Sequence, residues 1–206
     1  MSILQAVASP TVQVGSDHAN RTYIGIRRYY MVNTCFYIGL HGWVLFDNIY
    51  SGFQSGQIAS FALKYSHFLL QSSRNTDICY KYITGMSYDV IAKTTFTYED
   101  VWVIDFGLTA YDTNRFVPPE WVGNDSYVSG VITLQVDPFY YSDIISRLPG
   151  APPLIYSWEI HKVFQFTSVA ENIFYEIDNI DMHAIDSGDD FLLECSLADA
   201  LPRYKR

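Results

Sequence analysis

The chain has 206 residues, of which 49% are hydrophobic, 17% aromatic and 17% charged, and its formal net charge is −9. That is too apolar and aromatic for disorder and long enough for one domain with a sizeable core. With 13 Lys/Arg against 22 Asp/Glu, it lacks the cationic surface that displaces counterions from phosphates, so no direct nucleic-acid binding is expected.

The imbalance is uneven: residues 1–103 carry 7 Lys/Arg against 6 Asp/Glu, and residues 104–206 carry 6 against 16. The opening MSILQAVASPTVQVG shows neither the basic region nor the apolar run of a signal peptide, so an intracellular or virion setting is expected. Two sequons, at Asn20 and Asn124, are near the chance number. Residues 1–20 contain no Lys or Arg, which disfavours a basic arm for packing RNA.

The first strand pattern is TYIGIRRYYMV (22–32), in which Arg27 and Arg28 adjoin Tyr29 and Tyr30. Val32-Asn33-Thr34 suits a turn. FYIGLHGWVLF (36–46) then places Phe36, Ile38, Leu40, Val44 and Phe46 on one face, with Tyr37, Gly39, His41, Trp43 and Leu45 on the other. Between Arg28 and Asp47 there is no charge, and roughly 17–25 apolar residues would span a bilayer. Asn33, Gly39, His41 and Gly42 interrupt that run, so two core strands are expected and no membrane span.

Residues 57–73, QIASFALKYSHFLLQSS, set Ile58, Ala62, Tyr65 and Leu69 on one helical stripe. Period two fits almost as well, and a helix is slightly favoured. Strands are expected over 78–85, 88–98, 101–110, 127–136, 154–166 and 172–178. A helix is expected over 137–148, with Asp137 as N-cap and Pro138 at its first position. The segment 189–202 reads as a helix closed by Pro202 or as a last strand. Adjacent strand pairs with few helices predict a mainly β protein, an antiparallel sandwich or barrel with one to three short helices. Residues 1–206 read as a single β-rich domain, with a loop insertion around 112–126 that holds Pro118 and Pro119.

Motifs that carry chemistry are few. There is no G-x-S-x-G, P-loop, G-x-G-x-x-G, H-E-x-x-H or C-x-x-C, and no cofactor is implied. Cys35, Cys79 and Cys195 have neither metal spacing nor an even count for a disulfide framework. The densest polar stretch runs from Glu176 to Asp190. There Asp178, Asp181, Asp186, Asp189 and Asp190 could offer oxygens to Ca²⁺, but without EF-hand spacing. An acidic hairpin turning at Asp186–Asp189 explains the same letters. Glu159 and His161 share a strand face, as half of a general base would require, and they or the Asp178–Asp190 cluster are the centre of an enzymatic reading that ranks last.

The 17 tyrosines exceed what one core is expected to hold, while Lys is sparse; both are features of interface centres. Tyr29, Tyr30, Tyr37, Trp43, Trp102 and Trp158 are therefore the candidate interface or ligand-binding residues. The leading expectation is a non-enzymatic assembly subunit that associates with itself or a partner protein through aromatic β surfaces, as phage tail and capsid components do. The alternative is a barrel that binds a small hydrophobic ligand or carbohydrate.

Overall fold

Residues 34–46, 50, 52–113, 121–168, 173–181, 185–186 and 188–204 are described in a computed structural model. The chain divides into two units, residues 1–30 and 31–206, and the elements below belong to the second. The strand pattern at 22–32, with Tyr29 and Tyr30, lies outside the described residues, as do residues 114–120 of the 112–126 insertion.

The protein is mainly β. In chain order the elements are β1 (Phe36–His41), α1 (Trp43–Phe46), β2 (Ile58–Ser72), β3 (Cys79–Thr84), β4 (Ser87–Tyr98), β5 (Val101–Asp105) and β6 (Thr109–Thr113). They continue with β7 (Tyr127–Val136), α2 (Tyr140–Asp143), a 3-10 turn (Ile145–Arg147), β8 (Ile155–Ser168), β9 (Ile173–Ile177) and β10 (Asp190–Leu197). One ten-stranded sheet runs β3-β4-β5-β6-β2-β7-β1-β10-β8-β9, and extra pairings β4–β7 and β2–β8 close eight of its strands into a barrel. β3 and β9 are left outside the ring.

β2 and β7 form the spine, antiparallel from Leu63↔Val136 to Ser72↔Val128. On its other edge β2 meets β8 at Ile58–Ala62 and then β6 at Lys64. β7 likewise meets β4 over Tyr127–Thr133 and β1 at Gln135. Inside lie Phe36, Ile38, Leu40, Leu63, Leu134, Trp158, Ile160 and Leu193, all buried. A second cluster, with Val101, Val103 and Tyr111 against Tyr141, Ile145 and Leu154, packs α2 and the 3-10 turn onto the outside of β5 and β6. Both faces of β5 are thus covered, so Val101–Ile104 are all apolar and buried instead of alternating.

Several expectations need correction. The 57–73 segment is a strand, β2, not a helix: both its edges find partners, and tertiary pairing overrides a weak helical stripe. Residues 36–46 are not one strand, because β1 ends at Gly42 and Trp43–Phe46 coil into α1. The Gly42 N–H donates to Asp189 O (2.7 Å), and a Cβ there would lie 2.7 Å from Asp186 O and 2.8 Å from Asp189 O. The change of period leaves Leu45 buried and Phe46 exposed.

Residues 101–110 also divide in two. Asp105 Oδ1 accepts the Gly107 N–H (2.8 Å), Gly107 takes φ 107°, and the chain reverses into β6. The 137–148 helix shrinks to α2 and the 3-10 turn, and Phe139, not Asp137, precedes its first residue. The 189–202 segment resolves as the strand β10. β9 and β10 both pair with β8, on opposite edges, so the acidic segment between them is not a hairpin. It nevertheless turns at 186–189, where the Asp189 N–H donates to Asp186 O (3.0 Å).

Because both atoms facing a Cβ at Gly42 are backbone oxygens, Gly42→Ala must displace the 186–189 turn. A loss of about 1–3 kcal/mol, typical of overpacking, is expected in urea denaturation.

Candidate functional site

The sequence Asp137-Pro138-Phe139 shapes a concavity where the β2–β7 pairing ends. Asp137 donates its N–H to Ala62 O (3.0 Å), the last rung between the β7 line and β2. Pro138 has no N–H to give, and Phe139 adopts φ 70°, so the chain turns outward into α2. In the unbroken register Phe139 would stand opposite Ser60. Instead, Ile58 and Ser60 are exposed residues with no strand opposite on that edge among the described residues.

A cleft of about 490 Å³ opens along that edge. Its apolar wall is an aromatic stack. Tyr50 lies 5.4 Å from Phe53 and 4.8 Å from Phe139 between ring centroids, Phe53 meets Phe61 edge-on at 5.9 Å, and Phe61 stacks on Trp158 at 5.4 Å. The other side is polar, with Ser60, Ser142, Ser157 and Arg203. Arg203 is fixed there by paired backbone bonds with Ile155, and its Nη2 donates to Ser157 Oγ (2.9 Å) and Asp199 Oδ2 (2.8 Å). A second hollow of about 580 Å³ adjoins at Gly52, Phe53 and Gln57 and reaches Asn179 and Asp181.

Asp137 seals the inner end and is buried. Its Oδ1 accepts a short hydrogen bond from the Tyr111 hydroxyl and the Tyr141 N–H (3.2 Å), while Tyr50 donates its hydroxyl to Asp137 O (3.1 Å). Burial raises the Asp137 carboxyl above the ordinary carboxylate range, and the bonds from Tyr111 and the Tyr141 backbone offset only part of that. Burial also pushes the Tyr111 hydroxyl well up, so this pair holds its proton on the tyrosine. The arrangement anchors the turn into α2.

The structure separates the aromatics singled out in the sequence. Trp102 and Trp158 are core residues, with Nε1 donating to Thr94 Oγ1 (3.2 Å) and Phe61 O (3.3 Å) respectively. Tyr37 is half-buried, 4.9 Å from Tyr82 of β3, and its hydroxyl donates to Glu194 (3.2 Å). Trp43 is exposed on α1 beside His41, whose Nδ1 lies 2.5 Å from Asp190 Oδ1. Asp178, Asp181, Asp186 and Asp189 spread from the end of β9 to the start of β10. Among the described residues no three His, Cys, Asp or Glu side chains converge as a metal requires. His161 shares a hydrogen bond with Ser196 Oγ (2.9 Å), and Glu159 is exposed.

The tyrosines are absorbed more deeply than expected. The Tyr88 hydroxyl meets the backbone of Tyr37, Tyr156 meets Thr109, and Tyr141 meets Pro152 O and the Leu154 N–H, so each ring is buried with its hydroxyl satisfied. Exposed instead are Tyr82 and Ile83 on β3 and Phe174 and Tyr175 on β9, the two strands at the ends of the sheet. Sequence reasoning missed the cleft because Tyr50, Phe53, Phe139 and Arg203 are distant in the chain. The break in strand pattern at Asp137-Pro138 was its one visible signal.

No known protein family, curated protein or solved structure matches the chain.

Asp137→Asn keeps an acceptor for Tyr111 and removes the buried charge. A raised folded-state value means the native state holds the extra proton, so this group's contribution falls as pH rises from the ordinary carboxylate value through the raised one. The stability of Asp137→Asn relative to the native sequence should therefore increase from pH 4 to pH 7 (roughly the carboxylate titration range) in urea unfolding. A difference independent of pH would contradict it.

Proposed function

We propose that the protein is a non-enzymatic assembly subunit that joins copies of itself edge to edge, β3 of one copy against β9 of the next. The observation behind this reading is the pair of sheet ends. Neither β3 nor β9 has a strand on its outer side among the described residues, and each presents aromatic and apolar side chains to solvent.

Charge selects the geometry. β3 carries Lys81 at its middle and β9 carries Glu176, with Asp178 just beyond; all three are exposed. Pairing β3 with β3 or β9 with β9 sets like charges side by side, which is unfavourable, whereas β3 against β9 matches them. Lys81 thus guards its edge against indiscriminate pairing, as edge lysines do, without opposing β9. Such a contact is heterologous and head-to-tail, and it generates a ring if the rotation closes or a filament if it does not. Virion tubes and shells are built this way, and the acidic surface suits a component that nucleic acid slides past.

Light scattering behind a sizing column is expected to give a multiple of the chain mass. Lys81→Glu should reduce it to the single-chain mass, and adding Glu176→Lys in the same chain should restore assembly. A native protein that stays at the single-chain mass at every concentration and salt would refute the proposal.

A further inference from the structure

Every residue from Gln57 to Ala62 lines the cleft, so its floor follows the axis of β2. At a strand's rise of about 3.3 Å per residue, that floor is straight over roughly 17 Å. The polar hollow at Gln54 and Asn179 continues it at Gln57. We infer that cleft and hollow together bind a straight, neutral oligosaccharide, a chain of pyranoses joined by the equatorial linkage of cellulose.

The lining itself selects a neutral, hydroxylated ligand. Among the described residues the cleft holds one cation, Arg203, and one carboxylate, Asp137. Arg203 is answered by Asp199 at 2.8 Å, and Asp137 is buried and bonded to Tyr111, so neither is left to attract a charged ligand. The lining offers instead groups that both donate and accept hydrogen bonds: the Ser60 and Ser142 hydroxyls, and the side-chain amides of Gln57, Gln54 and Asn179. Ser60 Oγ stands 3.5 Å from Ser157 Oγ, at the outer limit of a hydrogen bond. Gln57 Oε1 takes the Gln54 N–H (3.0 Å), and its amide nitrogen remains a donor. A wholly apolar ligand would strip water from these groups without replacing it, at a cost for each. The hydroxyls of a sugar replace it.

Aromatic rings supply the complement to the carbon face of a sugar. The Tyr204 hydroxyl donates to Ala151 O (3.2 Å), which pins a residue that is 55% exposed where it lines the cleft. Half-buried Tyr50, held against Phe139 at 4.8 Å, is a second ring in the lining. The carbon-bound hydrogens on a pyranose face carry the partial positive charge that the π face of a ring attracts. Equatorial linkage keeps such a chain flat and extended, which matches a straight floor, whereas the axial linkage of amylose curls it. The inference goes beyond edge-to-edge assembly and is independent of it, because neither β3 nor β9 lines the cleft or the hollow.

Isothermal titration calorimetry of the full chain with cellohexaose, the glucose hexamer of equatorial linkage, should give saturable binding with a dissociation constant below about 1 mM. Maltohexaose, its axially linked isomer, should bind at least about tenfold more weakly. Tyr204→Ala should weaken cellohexaose binding by about tenfold or more. Tyr204→Phe keeps the ring, gives up only the bond to Ala151, and should bind as the native chain does. Ser142→Trp, which fills the cleft from α2, should abolish binding, and melting temperatures check that each variant folds. No binding of cellohexaose, equal binding of the two hexamers, or binding unchanged by both Tyr204→Ala and Ser142→Trp would overturn the inference. So would anilinonaphthalene sulfonate binding that Ser142→Trp abolishes while cellohexaose does not bind, since the cleft would then take an apolar ligand.

Discussion

The long antiparallel pairing of β2 with β7 is the constraint on which the rest of this molecule depends. Each strand outlasts any single neighbour on its outer edge, so each edge is shared by two partners: β8 and β6 on β2, β4 and β1 on β7. The changeover falls on one row. Gly39, Gln135, Lys64 and Tyr111 stand side by side across β1, β7, β2 and β6, and the two parallel contacts of the fold lie in that row. The barrel closes because the spine's two ends are completed by different sets of strands. At Gly39 a Cβ would meet Met86 Sδ at 2.6 Å, the end of a flexible side chain, and Leu134 O at 3.4 Å.

The same spine governs polar satisfaction. A barrel filled with rings this large could bury hydroxyls without partners, at a cost of a few kcal/mol each. Most hydroxyls avoid this by reaching the backbone of the next strand or a buried side chain, as in Tyr88–Tyr37, Tyr156–Thr109 and Tyr111–Asp137. Tyr65 is the exception among the described residues: its hydroxyl is buried near Asp112 with no hydrogen-bond partner. Asp112 itself lies 3.1 Å from His67 Nδ1, so that carboxylate is engaged between β6 and β2.

Where the spine stops, the surface acquires its features. Asp137 makes the final rung to β2, Pro138 cannot make another, and the turn through Phe139 both opens the cleft and lays α2 over β5 and β6. At the far ends of the sheet β3 and β9 are excluded from the ring, and Tyr82, Phe174 and Tyr175 remain exposed. Among the described residues, edges are thus open where no further strand pairs with them. No helix among the described residues is long and apolar enough to cross a membrane.

By itself, the sequence determined that the protein is mainly β, and it located β3, β4, β7, β8 and β9 closely, because alternation of side chains is a local property of a pleated strand. It also marked Asp137-Pro138 as a break, since proline's missing N–H is a covalent fact. Only the tertiary structure decided that 58–72 is a strand, for its periodicity was ambiguous and its pairing partners lie up to about a hundred positions away. Burial of Trp102 and Trp158 was likewise settled by packing, because alternation shows that two faces differ but not which one meets the core. The cleft was least legible of all: Tyr50, Phe139 and Arg203 become neighbours only through the closure of the barrel.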